Sequence, residues 1–289
     1  MTGKILKEKK GLYNVLAEGK EFLCRAGSRI RKEGVRLLAG DNVLFEVNPD
    51  GSGFITEAEP RRNCLIRPLV ANVDALVIVA AVCSPDPYLF NIDKLAVTGE
   101  LSGIEVAVAV NKCDLKSSEE LVEIYSRVGY RCFSLCAADG RGVEELKAYL
   151  EGKTAVFAGA SGVGKSSLLN ALYPEFDAET GGLSAKISRG KNTTRHTELF
   201  KTGEDTFIAD TPGFTMLDTE RLGIGEAREL IDRFPETEDV RELCRYRGCT
   251  HVREEGCAVI EAVQKGEIPK SRHDSYVKLY EEIKALKRY

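Results

Sequence analysis

In the first part of the chain, short runs of apolar and polar residues alternate between turn-forming clusters. The alternation predicts β-strands over residues 12–16, 21–26, 42–47 and 54–58. Ala39-Gly40-Asp41-Asn42 and Asn48-Pro49-Asp50-Gly51 supply the breaks between them. Short strands with close turns belong to a small barrel or sandwich. An OB-like barrel fits the length, and so does an SH3-like one.

Near residue 67 the rhythm changes to apolar strands alternating with amphipathic helices. Strands are predicted over 74–82, 105–110, 131–135, 154–158 and 206–209. Helices are predicted over 91–102, 119–128, 143–150 and from Lys165 onward. This is an α/β pattern, with a mostly parallel sheet covered by helices on both faces. After Leu217 helical spacing returns over 224–234 and 276–286, with a cysteine cluster between. The expected organisation is a β domain at 1–66, an α/β domain at 67–219 and a helical domain at 220–289.

Composition changes this picture little. The chain has 289 residues, 43% hydrophobic and 30% charged, with a net charge of −4. No apolar run approaches the ~18 residues of a membrane span, the longest being 75–83. The N-terminus lacks a signal-peptide pattern. A cytoplasmic protein with no membrane partner is expected, and nothing calls for more than a monomer. Residues 1–67 hold 13 Lys and Arg against 9 Asp and Glu, a weak local bias toward nucleic acid. Of nine cysteines, Cys24, Cys64, Cys83 and Cys132 stand in apolar segments and read as buried small hydrophobes.

The chemistry lies in four short motifs. Gly159-Ala160-Ser161-Gly162-Val163-Gly164-Lys165-Ser166 fits GxxxxGK[ST] between a predicted strand and a predicted helix, the context a phosphate loop needs. These residues and Ser167 are expected to bind nucleotide phosphates through backbone N–H groups. Lys165 is expected to reach the β- and γ-phosphates, and Ser166 to hold Mg²⁺. Asn111-Lys112-Cys113-Asp114 fits the NKxD motif that chooses guanine: the Asp114 carboxylate accepts from ring N1–H and the exocyclic amine, a donor pair adenine lacks. Cys136-Ala137-Ala138 stands where GTPases commonly place Ser-Ala-Lys, and its backbone is expected to contact the base. Asp210-Thr211-Pro212-Gly213 fits DxxG, with Asp210 acting on Mg²⁺ through water and the Gly213 N–H sensing the γ-phosphate. Between the phosphate loop and DxxG, Thr194 is the preferred second Mg²⁺ ligand, with Thr193 as its neighbouring alternative.

Cys244, Cys249, His251 and Cys257 have the spacing C-x4-C-x-H-x5-C. Three thiolates and an imidazole make a closed tetrahedral site for one structural Zn²⁺. In a cytosolic protein this spacing points to metal rather than disulfides.

The motif order is unusual. NKxD and its follower precede the phosphate loop, the threonine and DxxG, so the GTPase unit is circularly permuted. A permuted chain builds the same sheet if the original termini lay close together. This order, the β domain before it and the cysteine-rich helices after it resemble the ribosome-small-subunit-dependent GTPase A family (RsgA or YjeQ). The resemblance covers nearly the whole chain. It includes Ala39-Gly40-Asp41, Arg61-Arg62-Asn63 and Asn72-Val73-Asp74, besides the Cys244–Cys257 cluster. It implies an OB-fold that binds ribosomal RNA, and a GTPase that binds the small (30S) ribosomal subunit and acts in its late maturation. It also implies hydrolysis of GTP to GDP that is slow alone and stimulated by the subunit. One departure is Asn192, where the family usually has His; His196 lies four residues on.

Phe214 follows DxxG where many GTPases place Gln. A phenyl ring cannot orient the attacking water by a strong hydrogen bond, so weak intrinsic turnover is expected. The competing reading is an RNA-binding assembly scaffold whose nucleotide site is structural or vestigial.

Overall fold

The computed structural model describes residues 1–32, 34–66, 68–174, 197–209, 219–224 and 226–286. Strands β1 (Thr2–Lys9), β2 (Leu12–Ala17), β3 (Lys20–Ala26), β4 (Asn42–Val47) and β5 (Gly53–Ala58) close into a barrel of order β1-β2-β3-β5-β4. Every pairing is antiparallel except β3 with β5. This is the OB-like option of the two that the length allowed. Ile5, Val15, Cys24, Val43, Phe45 and Ile55 fill the barrel, and a short helix α1 (Ser28–Lys32) follows β3.

The alternation did not reveal β1, because that strand meets a core on each face. Ile5 and Leu6 point to opposite sides and are both buried, Ile5 in the barrel core and Leu6 in the core of the α/β unit. The register of β1 with β2 also shifts between Ile5 and Lys7.

A polar joint fixes the barrel to the rest. Asp41, almost fully buried, accepts from Arg61 at 2.6 and 2.8 Å and from the Leu38 N–H at 2.7 Å. The Asn72 side chain donates to the Gly40 carbonyl at 2.9 Å and accepts from the Arg62 N–H at 2.9 Å. Asp74 pairs with Arg62 at 2.7 Å and accepts the Thr154 N–H at 2.8 Å. Gly40 has φ +92°, and a Cβ there would stand 2.0 Å from the Ala71 carbonyl oxygen, so only glycine fits this approach. A two-stranded ribbon of β6 (Cys64–Leu65) and β7 (Val70–Ala71) lies beside the joint.

The larger sheet contains β8 (Ala75–Ala81), β9 (Glu105–Asn111), β10 (Arg131–Ser134), β11 (Thr154–Ala158), β12 (Leu199–Lys201) and β13 (Phe207–Ala209), in the order β10-β9-β8-β11-β13-β12. All are parallel but the edge strand β12, which runs antiparallel to β13. Central strand β8 is buried along its whole length, as its unbroken apolar run requires. Leu76, Ile78 and Ala80 face the core shared with helices α2 (Leu89–Ser102) and α3 (Glu119–Arg127). Ala75, Val77 and Val79 face the core shared with α4 (Val143–Leu150) and α5 (Lys165–Leu172). Helices thus cover both faces.

The C-terminal region departs from the simple helical expectation. Ala227–Arg233 and Pro235–Thr237 are 3₁₀ turns, followed by α6 (Glu238–Arg241), α7 (Ala258–Gln264) and α8 (Lys270–Leu286). No helix among the described residues is long and apolar enough to cross a membrane. Of the cysteines read as buried, Cys24 is; Cys64, Cys83 and Cys132 are half-buried, the last two because they pack on the margin of the α/β core.

Helix α8 is tied to α2 by a buried ionic cluster that no local pattern announced. Arg272 has 0% side-chain exposure and donates to Asp93 at 2.7 Å and to Glu236 at 2.7 and 3.2 Å. Its guanidinium lies 4.6 Å from the Phe234 ring centroid, and the Tyr125 hydroxyl donates to Asp93 at 3.0 Å. Burial raises the Asp93 pKa against the opposing pull of Arg272. Removing the cation would leave two buried carboxylates uncompensated. Arg272→Ala is therefore expected to cost about 3–5 kcal/mol in denaturant unfolding, and a cost within about 0.5 kcal/mol, the scale of an ordinary surface change, would refute this role.

Candidate active site and metal centre

The phosphate loop runs from the C-terminal end of β11 to the first turn of α5, at the C-terminal edge of the sheet, where open α/β folds bind ligands. Its glycines are required sterically. Gly159 has φ +143°, and a Cβ there would meet the Val79 carbonyl oxygen at 2.2 Å. Gly164 has φ +93°, and its Cβ would meet Asn111 Nδ2 at 2.3 Å. Lys165 donates to the carbonyls of Gly159 at 2.7 Å and Ala160 at 2.8 Å. Burial holds its pKa below the ordinary lysine range. A desolvated ammonium with only neutral carbonyl partners stands to gain from an anion. Ser161, Ser166 and Ser167 are exposed at the loop and helix start, and Val163 is buried beneath them.

Asn111, at the end of β9, brings three segments together. It is buried, and its Nδ2 donates to the Val163 carbonyl of the phosphate loop at 2.9 Å. Its Oδ1 accepts the Lys112 N–H at 2.8 Å and the Ala137 N–H at 3.0 Å. One side chain therefore joins residues 111, 137 and 163. Lys112 adds a second tie, donating from Nζ to the Gly162 carbonyl at 2.8 Å and to the Ser84 carbonyl.

Asp114 is exposed, with Cys136 directly behind it. The Cys136 thiol lies 3.1 Å from Asp114 Oδ1. Burial, helped by that carboxylate, raises the thiol pKa, so it remains protonated and donates. The sequence reading assigned Cys136 a backbone role; the structure adds a side-chain role, holding the carboxylate in place as a serine hydroxyl would. The Cys113 N–H donates to the Leu135 carbonyl at 3.3 Å, which ties this loop to the end of β10. The geometry brings together Asn111, Lys112, Ala137 and the phosphate loop, with Cys113, Asp114 and Cys136 alongside. Thr194, Asp210 and Gly213 lie outside the described residues, as do Thr193, Asn192, His196 and Phe214.

The second site is in the C-terminal region. The ligand atoms of Cys244, Cys249, His251 and Cys257 all lie within 4.8 Å of one another, a group able to hold a metal ion. Its surroundings are built to keep it in shape. Glu254 accepts the N–H groups of Thr250, Val252 and Arg253 at 2.8, 3.0 and 3.1 Å. Burial alone would raise the Glu254 carboxyl, but these bonds outweigh it and hold the pKa down at about 2. The His251 carbonyl accepts from His273 at 2.8 Å, and the Thr250 carbonyl from the Tyr276 hydroxyl at 2.7 Å, which anchors the loop to α8. These supports were not read from the sequence; a Glu between the third and fourth ligands, with Thr250 four residues before it, was the available signal.

Comparison with known proteins agrees with this architecture. The RsgA GTPase family model matches residues 58–220, and the RsgA N-terminal domain model matches residues 2–55. The chain is 41% identical to the small ribosomal subunit biogenesis GTPase RsgA of Geobacillus sp. (strain WCH70), over 99% of this chain and 98% of the relative. It is also 41% identical to the protein of that name from Moorella thermoacetica, over 100% and 99%. Among solved structures, YjeQ from Thermotoga maritima is 36% identical with a TM-score of 0.84, covering 98% of both chains. YloQ, a circularly permuted GTPase, is 34% identical with a TM-score of 0.82, covering 99% of this chain and 95% of the other. With its barrel, its reordered GTPase motifs and its whole length matched in this way, the chain belongs to the RsgA GTPase family and is a circularly permuted GTP hydrolase.

Proposed function

We propose that this chain is a GTP-controlled assembly factor that binds the small (30S) ribosomal subunit, acts late in its maturation and leaves after hydrolysing GTP. The observation that carries the proposal is the pocket held together by Asn111, in which a phosphate cradle and a guanine reader meet, within a chain related end to end to proteins named for small-subunit biogenesis. In this reading residues 1–66 bind ribosomal RNA, residues 67–219 bind and hydrolyse GTP, and residues 220–289 form a metal-stapled helical domain. The barrel strands ending at Ala58 and the two family matches support that division. The protein works in the cytoplasm as a monomer.

Each site residue then has a task. Asp114, oriented by Cys136, accepts from guanine, and Asn111 holds the surrounding loops. Lys165 and the N–H groups of residues 159–167 neutralise the β- and γ-phosphates. Ser166 and Thr194 are the direct ligands for Mg²⁺, Asp210 acts through water, and the Gly213 N–H senses the γ-phosphate. Bound Mg²⁺ supplies charge neutralisation on the phosphates. Phosphoryl transfer depends on positioning and charge, and this chain has Phe214 and Asn192 where water-orienting groups are usual. The subunit completes the site.

Zn²⁺ suits the cysteine cluster. Tetrahedral Zn²⁺ with Zn–S of about 2.3 Å and Zn–N of about 2.0–2.1 Å sets sulfurs about 3.8 Å apart and sulfur to nitrogen about 3.5 Å apart. Here Cys244 and Cys257 Sγ are 3.8 Å apart, and they lie 3.5 and 3.4 Å from His251 Nδ1. Four protein ligands leave no open position, so the metal is structural.

Steady-state GTP hydrolysis tests the main proposal. It should be slow alone and rise by on the order of tenfold or more with purified 30S subunits, since supplying a missing transition-state group is worth up to ~10⁵. Equal rates with and without subunits at every salt concentration would favour the scaffold reading. For the metal, elemental analysis should find about one zinc per chain, and stripping it should unfold the 244–257 loop. A fully folded metal-free protein would contradict the assignment.

A further inference from the structure

The β12–β13 hairpin leads on both sides into the residues assigned to the γ-phosphate end of the site. Thr194 lies five residues before Leu199, and Asp210 directly follows Ala209. Leu199 and Ala209 are partners in the antiparallel register, so both connections leave the same end of the hairpin. Whatever positions this hairpin also positions the two points from which those residues start.

Strand β1 of the barrel lies against it. Lys7 and Glu198 form an antiparallel β-bridge, and their side chains pair at 2.7 Å. Lys4, three residues earlier on β1, stands 5.0 Å from the Phe207 ring centroid of β13 and 3.4 Å from Thr154 Oγ1 of β11. Leu6 shares a buried apolar cluster with Leu199 and Phe207, although every other residue of β1 that is buried belongs to the barrel. Alternation along β1 makes this possible: Ile5 turns into the barrel, while Lys4 and Leu6 turn outward to β11 and the hairpin. A bulge re-aims side chains, and the shift between Ile5 and Lys7 brings Lys7 to the same outer side as Lys4 and Leu6.

We propose that β1 is the coupling element between ribosomal RNA bound to the barrel and GTP hydrolysis, with Lys7 and Glu198 as the positioning pair that sets the hairpin. This rests on the reading of the chain as a subunit-stimulated GTPase. The pair is a poor stability device: side-chain exposure is 37% for Lys7 and 35% for Glu198, and half-exposed ion pairs contribute little to folding. Position is another matter. A misplacement of about 1 Å in a catalytic group can cost on the order of a hundredfold in rate. Load applied to the barrel by a bound subunit reaches the hairpin through Lys4, Leu6 and Lys7, and the buried joint at Asp41 and Asn72 keeps the barrel from yielding independently.

Charge reversal and charge exchange separate this from simple packing. Lys7→Glu and Glu198→Lys, each alone, should lower the subunit-stimulated kcat roughly three- to tenfold, within the range for residues along a coupling route. The melting temperature and the subunit concentration giving half-stimulation should stay near wild type, and the unstimulated rate should fall by less than the stimulated one. The double exchange should restore stimulation to within about twofold. The neutral variants Lys7→Gln and Glu198→Gln, which create no repulsion, should show a smaller loss of about twofold. Single reversals with full stimulation would overturn the inference. So would a loss that the double exchange does not repair, one confined to the half-stimulating subunit concentration, or one that follows the melting temperature. If subunits fail to stimulate the wild-type protein, the functional reading falls and this inference with it; if they stimulate wild type and reversed variants alike, only the coupling falls.

Discussion

The side chain of Asn111 makes three hydrogen bonds out of reach of water, and the nucleotide site depends on all of them. It links a segment that carries Asp114, the proposed guanine reader, a segment around Ala137 and a phosphate loop some fifty residues further along the chain. A buried amide whose donors and acceptor are matched is costly to misplace, because every wrong arrangement leaves a desolvated polar group unpaired. Gly164 brings the phosphate loop so close that any larger residue would collide with this amide.

That constraint explains how permutation is tolerated. The order of motifs along the chain is irrelevant to the amide; what matters is that β10, β9, β8 and β11 are parallel neighbours in the sheet, so that the loops after β9, β10 and β11 leave the same edge. Moving the chain ends leaves this edge intact and frees the termini to carry other units. Each such unit is then fastened by polar groups rather than by apolar packing alone. The barrel is held through Asp41, Arg61 and Asn72, and the C-terminal helix through Arg272, Asp93 and Glu236. A rigid attachment on each side suits a protein in which events at one domain are to be felt by another.

The motifs were legible because their chemistry dictates residue types at fixed spacing: a glycine loop before Lys165, a carboxylate at Asp114, three cysteines and a histidine around 244–257. Central strands such as β8 and β11 were legible because they are apolar throughout. What stayed hidden depends on contacts distant in sequence. Strand β1 was obscured because it packs on both faces, Ile5 in the barrel and Leu6 in another core. The three-residue β12 is too short to show a period. Arg272, a charged residue on a polar-looking helix, gives no local sign that it is fully buried between two carboxylates. Nothing near Cys136 in the sequence announces that its thiol meets the Asp114 carboxylate.

The proposed function requires the guanine reader and the phosphate cradle to form one pocket. Titration calorimetry of the intact protein with GDP and ADP tests this most directly. GDP should bind at least about a hundredfold more tightly than ADP, the scale on which a site built to hydrogen-bond one ligand rejects another lacking the donors, and Asp114→Ala should remove most of that difference. Equal binding of the two nucleotides, or a preference unchanged in Asp114→Ala, would contradict the account.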